Sequence, residues 1–139
     1  MSSQNIEVNQ SVYRQQAELN EQTANAARSG FPDWSVIMCF YAALHWVNDH
    51  AFREGRIQEF SDDEDTSPHK RRRMYVKGIA RKNKWPDLED AYELLYRGSM
   101  TARYLRGLEE LNCTARKYYA DNNIQFYFDY LETVKKRLA

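Results

Sequence analysis

The sequence predicts an all-α fold, an antiparallel up-and-down bundle of about five helices in a single domain spanning residues 1–139. Three observations carry this. Glycine (5) and proline (3) are scarce among 139 residues, so turns are few and elements long. Val, Ile and Thr together number 16, low for a β protein, and no segment alternates with period two. Several segments instead repeat apolar residues every three or four positions, with proline and glycine between them.

The first of these segments, about Val8 to Arg28, is polar with a thin stripe. Val12, Leu19 and Ala26 sit seven apart, with Val8 and Thr23 beside them, and Gly30 and Pro32 end it. So narrow a face marks residues 1–30 as a peripheral helix or one that packs on a partner chain. The second helix is expected to be the core helix. Asp33 lies at its positive end, and Trp34, Met38, Tyr41, His45, Asn48 and Phe52 follow as a face that Ile37 and Leu44 widen. Gly55 stops it. Residues 55–67 form an acidic loop carrying Glu59, Asp62, Asp63, Glu64 and Asp65.

Ser67 followed by Pro68 reads as N-cap and first residue of a third helix, running to about Asn83. Pro86 repeats the signal for a fourth, with Asp87, Glu89 and Asp90 in the first turn and Leu88, Tyr92, Leu95, Ser99 and Ala102 on one face, Arg106 at its end. From Gly107 to about Asn122 no pattern stands out. The last helix carries a heptad stripe of Ile124, Leu131 and Leu138, with Tyr127 and Val134 between, and Lys135, Lys136 and Arg137 at its negative end.

Composition narrows function. Twenty Lys+Arg balance twenty Asp+Glu, which argues against a polycation that coats nucleic acid. Mean hydropathy is -0.83, and the run Val36–Val47, broken by His45, is too short to span a bilayer. Cys39 and Cys113 are two and far apart, and MSSQNIEVNQ does not start like a signal peptide, so the expectation is a cytoplasmic protein without membrane association. No phosphate-binding glycine loop and no Gly-x-Ser-x-Gly context occur, and no cofactor is expected.

The net charge hides a segregation. Between His69 and Lys84 stand eight basic side chains and no acid. Lys70, Arg71, Arg72 and Arg73 crowd a helix N-terminus that already carries partial positive charge. A bound phosphate would compensate, the acidic run just upstream could fold over the basic turn, or the helix is simply solvated. His69 lies three and four residues from Arg72 and Arg73, which suits acid–base cleavage of a phosphodiester with the arginines holding the phosphate. Lys70 and Arg71 project outward and, with Lys77, would meet further phosphates. His45 reads first as a hydrogen-bonded core histidine. Asp49 stands four residues on, but no third ligand follows, so no metal site is expected. His50 falls off the core face and is expected to be exposed. Ser99, Arg103 and Tyr104 form a second polar group, in which a buried serine can bond back to its own helix.

The pattern Trp34…Phe40-Tyr41-Ala42-Ala43-Leu44-His45, then an acidic loop, Ser67-Pro68-His69-Lys70-Arg71-Arg72, and Leu95-Tyr96…Ser99…Ala102-Arg103-Tyr104 resembles small prokaryotic proteins of the HEPN-like superfamily. The resemblance covers roughly Asp33 to Tyr104. It implies a helical bundle that forms a homodimer and associates with RNA, commonly as a metal-independent ribonuclease of toxin–antitoxin, abortive-infection or antiviral defence systems. The usual catalytic motif is an arginine followed after four to six residues by a histidine. No arginine stands at that spacing before His45, His50 or His69, so the usual mechanism does not transfer. The leading expectation is RNA or nucleotide-phosphate binding through helix three. If cleavage occurs, His69 is the acid–base, and Arg72, Arg73 and Arg103 stabilise the phosphorane, with His45, Ser99 and Tyr104 in support. The alternative is a non-enzymatic module that dimerises or docks onto a larger protein partner.

Overall fold

A computed structural model describes residues 10–61 and 65–139. The chain forms the expected all-α bundle. Its helices are α1 (Val12–Ala27), α2 (Pro32–Arg53), α3 (Pro68–Asn83), α4 (Pro86–Tyr104), α5 (Ala115–Ala120) and α6 (Gln125–Leu138), with one 3-10 turn at Ile57–Phe60. No described residue is in a strand. No described helix is long and apolar enough to cross a membrane.

The boundaries follow local chemistry. Ser11 and Ser67 accept backbone N–H bonds from Arg14 (3.0 Å) and Lys70 (3.2 Å), and Pro32, Pro68 and Pro86 each open a helix. α5 was not visible as a periodic segment because six residues cannot show a period. Its signal was Thr114, whose hydroxyl caps Lys117 N at 3.2 Å. The basic first turn of α3 therefore forms despite its charge, because serine cap and proline fix its start.

Tertiary packing overturns two sequence expectations about faces. On α1, Val12 and Leu19 are 68% and 54% exposed and Ala26 is exposed too. The buried contacts are Ala17 and Ala24, each fully covered, which let α1 lie close along α2. The link 28–31 is so short that α2 must run back antiparallel to α1. Polar ties replace the missing apolar area: Ser35 Oγ donates to Ala24 O (2.7 Å), and Ser11 Oγ donates to the buried carboxylate of Asp49 (2.6 Å). Arg53 Nε also reaches Asp49 (3.0 Å), and its Nη2 donates to the carbonyl of Leu138, tying α1, α2 and α6 together.

α2 is indeed the central helix, surrounded by α1, α4, α5 and α6. Of its expected face, Ile37, Leu44 and Asn48 are buried, but Trp34, Met38, Tyr41, His45 and Phe52 form its least covered side, with Trp34 and Phe52 about half exposed. Burial falls on Val36, Cys39, Phe40, Ala43, Trp46 and Val47 instead. In a helix apolar nearly all round, periodicity does not say which side a neighbour leaves open. The faces of α4 and α6 were legible: Leu88, Tyr92, Leu95, Ser99, Ala102, Leu131, Val134 and Leu138 are buried.

Within the 55–67 segment, Phe60 is buried and Glu59 pairs with Arg56 at 2.7 Å rather than with the basic turn. Asp62, Asp63 and Glu64 lie outside the described residues.

Candidate phosphate-binding cleft

The open side of α2 faces the first turns of α3 and the last turn of α4, and there the polar groups collect. Asn48, nearly fully buried, is the hinge. Its Oδ1 accepts from Arg72 Nε at 2.9 Å, and its Nδ2 lies 3.2 Å from His45 Nδ1. A guanidinium only donates, so the amide oxygen must face Arg72 and the amide nitrogen His45. His45 Nδ1 then accepts, which places the imidazole proton on Nε2 and leaves the ring neutral. Burial first, and the Arg72 charge second, push the His45 pKa below its usual value, in the same direction.

Arg72 is unusual. Burial lowers its affinity for its proton, its guanidinium lies 5.5 Å over the Phe60 ring, and among the described residues no carboxylate pairs with it. Arg103 enters from α4. Its Nη1 donates to the Tyr41 hydroxyl (2.7 Å), Nη2 meets Met100 Sδ (3.4 Å), and Nε is buried without a hydrogen-bond partner. Its guanidinium sits 4.9 Å over the exposed ring of Tyr104 and 5.5 Å from that of Tyr41.

His69 projects from α3 between these groups. Its ring packs against Phe40 (5.9 Å) and Tyr96 (6.2 Å), and its Nδ1 is buried with no partner. Burial, then Arg72, then Arg103 hold its pKa below the usual value. Both arginines are therefore near enough to act on one imidazole. Of the residues singled out from the sequence, the fold brings His69, Arg72, Arg103, His45 and Tyr104 to this side of α2, while the hollow that opens at Arg72 itself is lined by Tyr13, Asn48, Ile57, Phe60 and Ser61.

The others go elsewhere. Arg73 makes a bidentate pair with Glu93 of α4 (2.8 and 2.9 Å) and lies 4.4 Å over Tyr96. Lys70 and Lys77 are exposed on the outward side of α3. Arg71 is half-buried beside Arg56, Glu59, Thr66 and Tyr75. Ser99 is fully buried, and its Oγ has no partner, so the expected bond back to its own helix is not made. His50, expected to be exposed, is half-buried: its Nδ1 meets the Tyr75 hydroxyl at 2.7 Å. Asp49 is turned to Ser11 and Arg53. Burial pushes the Cys39 thiol up to about 12, which removes it as a nucleophile.

Asn48 is buried as its place on the core face predicts, whereas Tyr41, on the same face, is only half-buried. A signal for the cleft was present: a tyrosine, a histidine and an asparagine at successive helical steps are too many polar tips for a core face.

Chemically the cleft offers N–H groups of two guanidinia and of His45 Nε2, with two neutral imidazoles and, among the described residues, no competing carboxylate. This suits an oxyanion with several acceptor oxygens. Comparison with protein-family models, curated proteins and solved structures found no match for this chain.

Proposed function

We propose that this protein is a HEPN-like helical protein that binds RNA through a phosphate seated in the cleft of His45, His69, Arg72 and Arg103, in a prokaryotic defence or toxin–antitoxin setting. The observation that carries this reading is Arg72, a partly buried cation with no described carboxylate beside it, which acts on His69 together with Arg103, whose Nε is unpartnered. Leaving cations so placed costs stability unless an anion completes them. A bound phosphodiester would draw from both guanidinia, and its negative charge would raise the histidine pKa values back towards neutrality. His69, neutral when free, would take the 2′-hydroxyl proton of RNA as general base; the 2′-oxygen then bonds to phosphorus, the P–O5′ bond breaks, and the His69 imidazolium returns the proton to the leaving 5′-oxygen, with Arg72 and Arg103 holding the charge that develops on the phosphoryl oxygens.

The test is retention of a mixed single-stranded RNA pool at low salt, followed by cleavage in the presence of a metal chelator. Arg72→Gln and Arg103→Gln should each weaken retention at least tenfold, and His69→Ala should abolish cleavage while keeping binding. No retention by the wild type at low salt refutes the RNA reading. Retention without cleavage, equal in wild type and His69→Ala, leaves a binding protein rather than a nuclease.

The exposed apolar residues Val12, Leu19, Phe31 and Trp34 favour a second reading, an interaction module that dimerises or docks on a larger partner. Sedimentation distinguishes it: Leu19→Glu with Trp34→Glu would dissociate an assembly built on those residues.

A further inference from the structure

α3 has two cationic faces, and the cleft uses only one. His69, Arg72, Val76 and Ile79 point inward. At 100° per residue, Lys70, Lys77 and Arg81 fall within about 40° of arc, roughly 140° round from that inward face, and Lys84 follows as the left-handed C-cap. All four are exposed. α3 packs mainly on α4 and the 3-10 turn, so this outward strip lies open.

Within α3 itself its charge is uncompensated, and the sequence enforces this. No acid occurs from Thr66 to Pro86, so α3 cannot form the i,i+4 pairs that ordinarily stabilise a charged helix. Lys77 and Arg81 are like charges one turn apart, costing about 0.2–0.5 kcal/mol. Arg81 alone touches a carboxylate, Glu89 at 3.5 Å, and stays 70% exposed. Among the described residues no ion pair engages Lys70 or Lys77, although Lys77 borders a groove that it shares with Glu89, Asp90 and Glu93 of α4.

We infer that this strip is a second nucleic-acid contact, a track for the phosphate backbone of a single RNA strand beyond the phosphate held in the cleft. The spacing selects a polymer. From Lys70 to Arg81 the strip runs about 16.5 Å along the axis at 1.5 Å per residue, further than one small anion can bridge, whereas a chain of phosphates repeats along it. The track reads no bases. It adds affinity that depends on strand length and on salt. This rests on the RNA reading above, and its test separates the two.

The measurement is the salt dependence of binding of a long mixed-sequence single strand and, separately, of a dinucleotide, to the wild type and to the triple variant Lys70→Gln/Lys77→Gln/Arg81→Gln. The side chains are exposed, and losing the Lys77–Arg81 repulsion roughly offsets losing the exposed Arg81–Glu89 pair, so the unfolding free energy should shift by no more than about 0.5 kcal/mol. Each lost phosphate contact on a single strand lowers the slope of log K against log salt by about 0.7, so the variant's slope for the long strand should fall by about 2. The dinucleotide, too short to reach both places, should bind wild type and variant equally. An unchanged slope for the long strand overturns the track whether or not the dinucleotide binds. A wild type that takes the long strand with the steeper slope but not the dinucleotide refutes the cleft reading and keeps the track.

Discussion

Replacing Asn48 by aspartate separates the stability of the cleft from its use. Asn48→Asp changes one atom and places a carboxylate 2.9 Å from Arg72 Nε. At that distance, with an effective dielectric constant of about 20, the Coulomb attraction is roughly 6 kcal/mol. Most of this is offset by desolvating a new charge at a position only 4% exposed, leaving a net gain of about 1–2 kcal/mol. The same carboxylate lies beside His45 Nδ1, which then becomes a donor, so the His45 pKa moves from below its usual value to above it. Arg72 is now satisfied internally, and a phosphate approaching it meets a like charge. The variant should therefore unfold at higher urea than the wild type at pH 7 yet lose at least tenfold in affinity for RNA. Paired urea titrations and low-salt binding isotherms, with the His45 Hε1 resonance followed against pH, measure all three effects. Lower stability would refute the claim that Arg72 lacks a compensating charge. Unchanged RNA affinity would refute its role in phosphate binding.

Other outcomes follow from the same geometry. Asp49→Ala removes the carboxylate that Ser11 and Arg53 share and should cost about 2–4 kcal/mol by urea unfolding, and a double-mutant cycle with Ser11→Ala should show coupling of at least about 1 kcal/mol. At Gly98 an added Cβ would stand 2.5 Å from the Tyr127 ring, so Gly98→Ala should destabilise by about 1–3 kcal/mol and alter the near-ultraviolet dichroism of the tyrosine cluster. The His69 Hε1 resonance should titrate below pH 6.5 in the free protein and shift upwards when RNA binds. Because His45, His50 and His69 are all held below their usual values, the unfolded chain takes up more protons than the native one as pH falls through about 6.5. Their contribution is thus fully present above that pH and lost as the pH falls through the native values. His45→Asn, which keeps an acceptor towards Asn48, should lessen the fall in unfolding midpoint between pH 7 and pH 5.

Much of this architecture is local, and so it was readable. Proline and serine set the starts of α2, α3 and α4, and the heptad of α6 and the face of α4 follow from spacing alone. These signals involve residues within a few turns of one another. The concentration of bases in α3 is equally a property of the sequence, as is the absence of any acid to neutralise them from within.

Tertiary structure decided the rest, because it depends on which neighbour covers which side. α1 is held by alanines and polar ties rather than by Val12 and Leu19, since close approach to α2 needs small residues more than large ones. The stripe from Trp34 to Phe52 looked like core because α2 is apolar nearly all round, and only the placement of the other helices left that side open. The same opening left Tyr41 and His45 half-exposed above the buried Asn48, brought Arg103 to His69 from a distant turn of sequence, and sent Arg73 to Glu93 although it stands beside Arg72 in the chain. Sequence fixed the kinds of charge and their helices, and long-range packing chose which of those charges face an acid, water or the cleft.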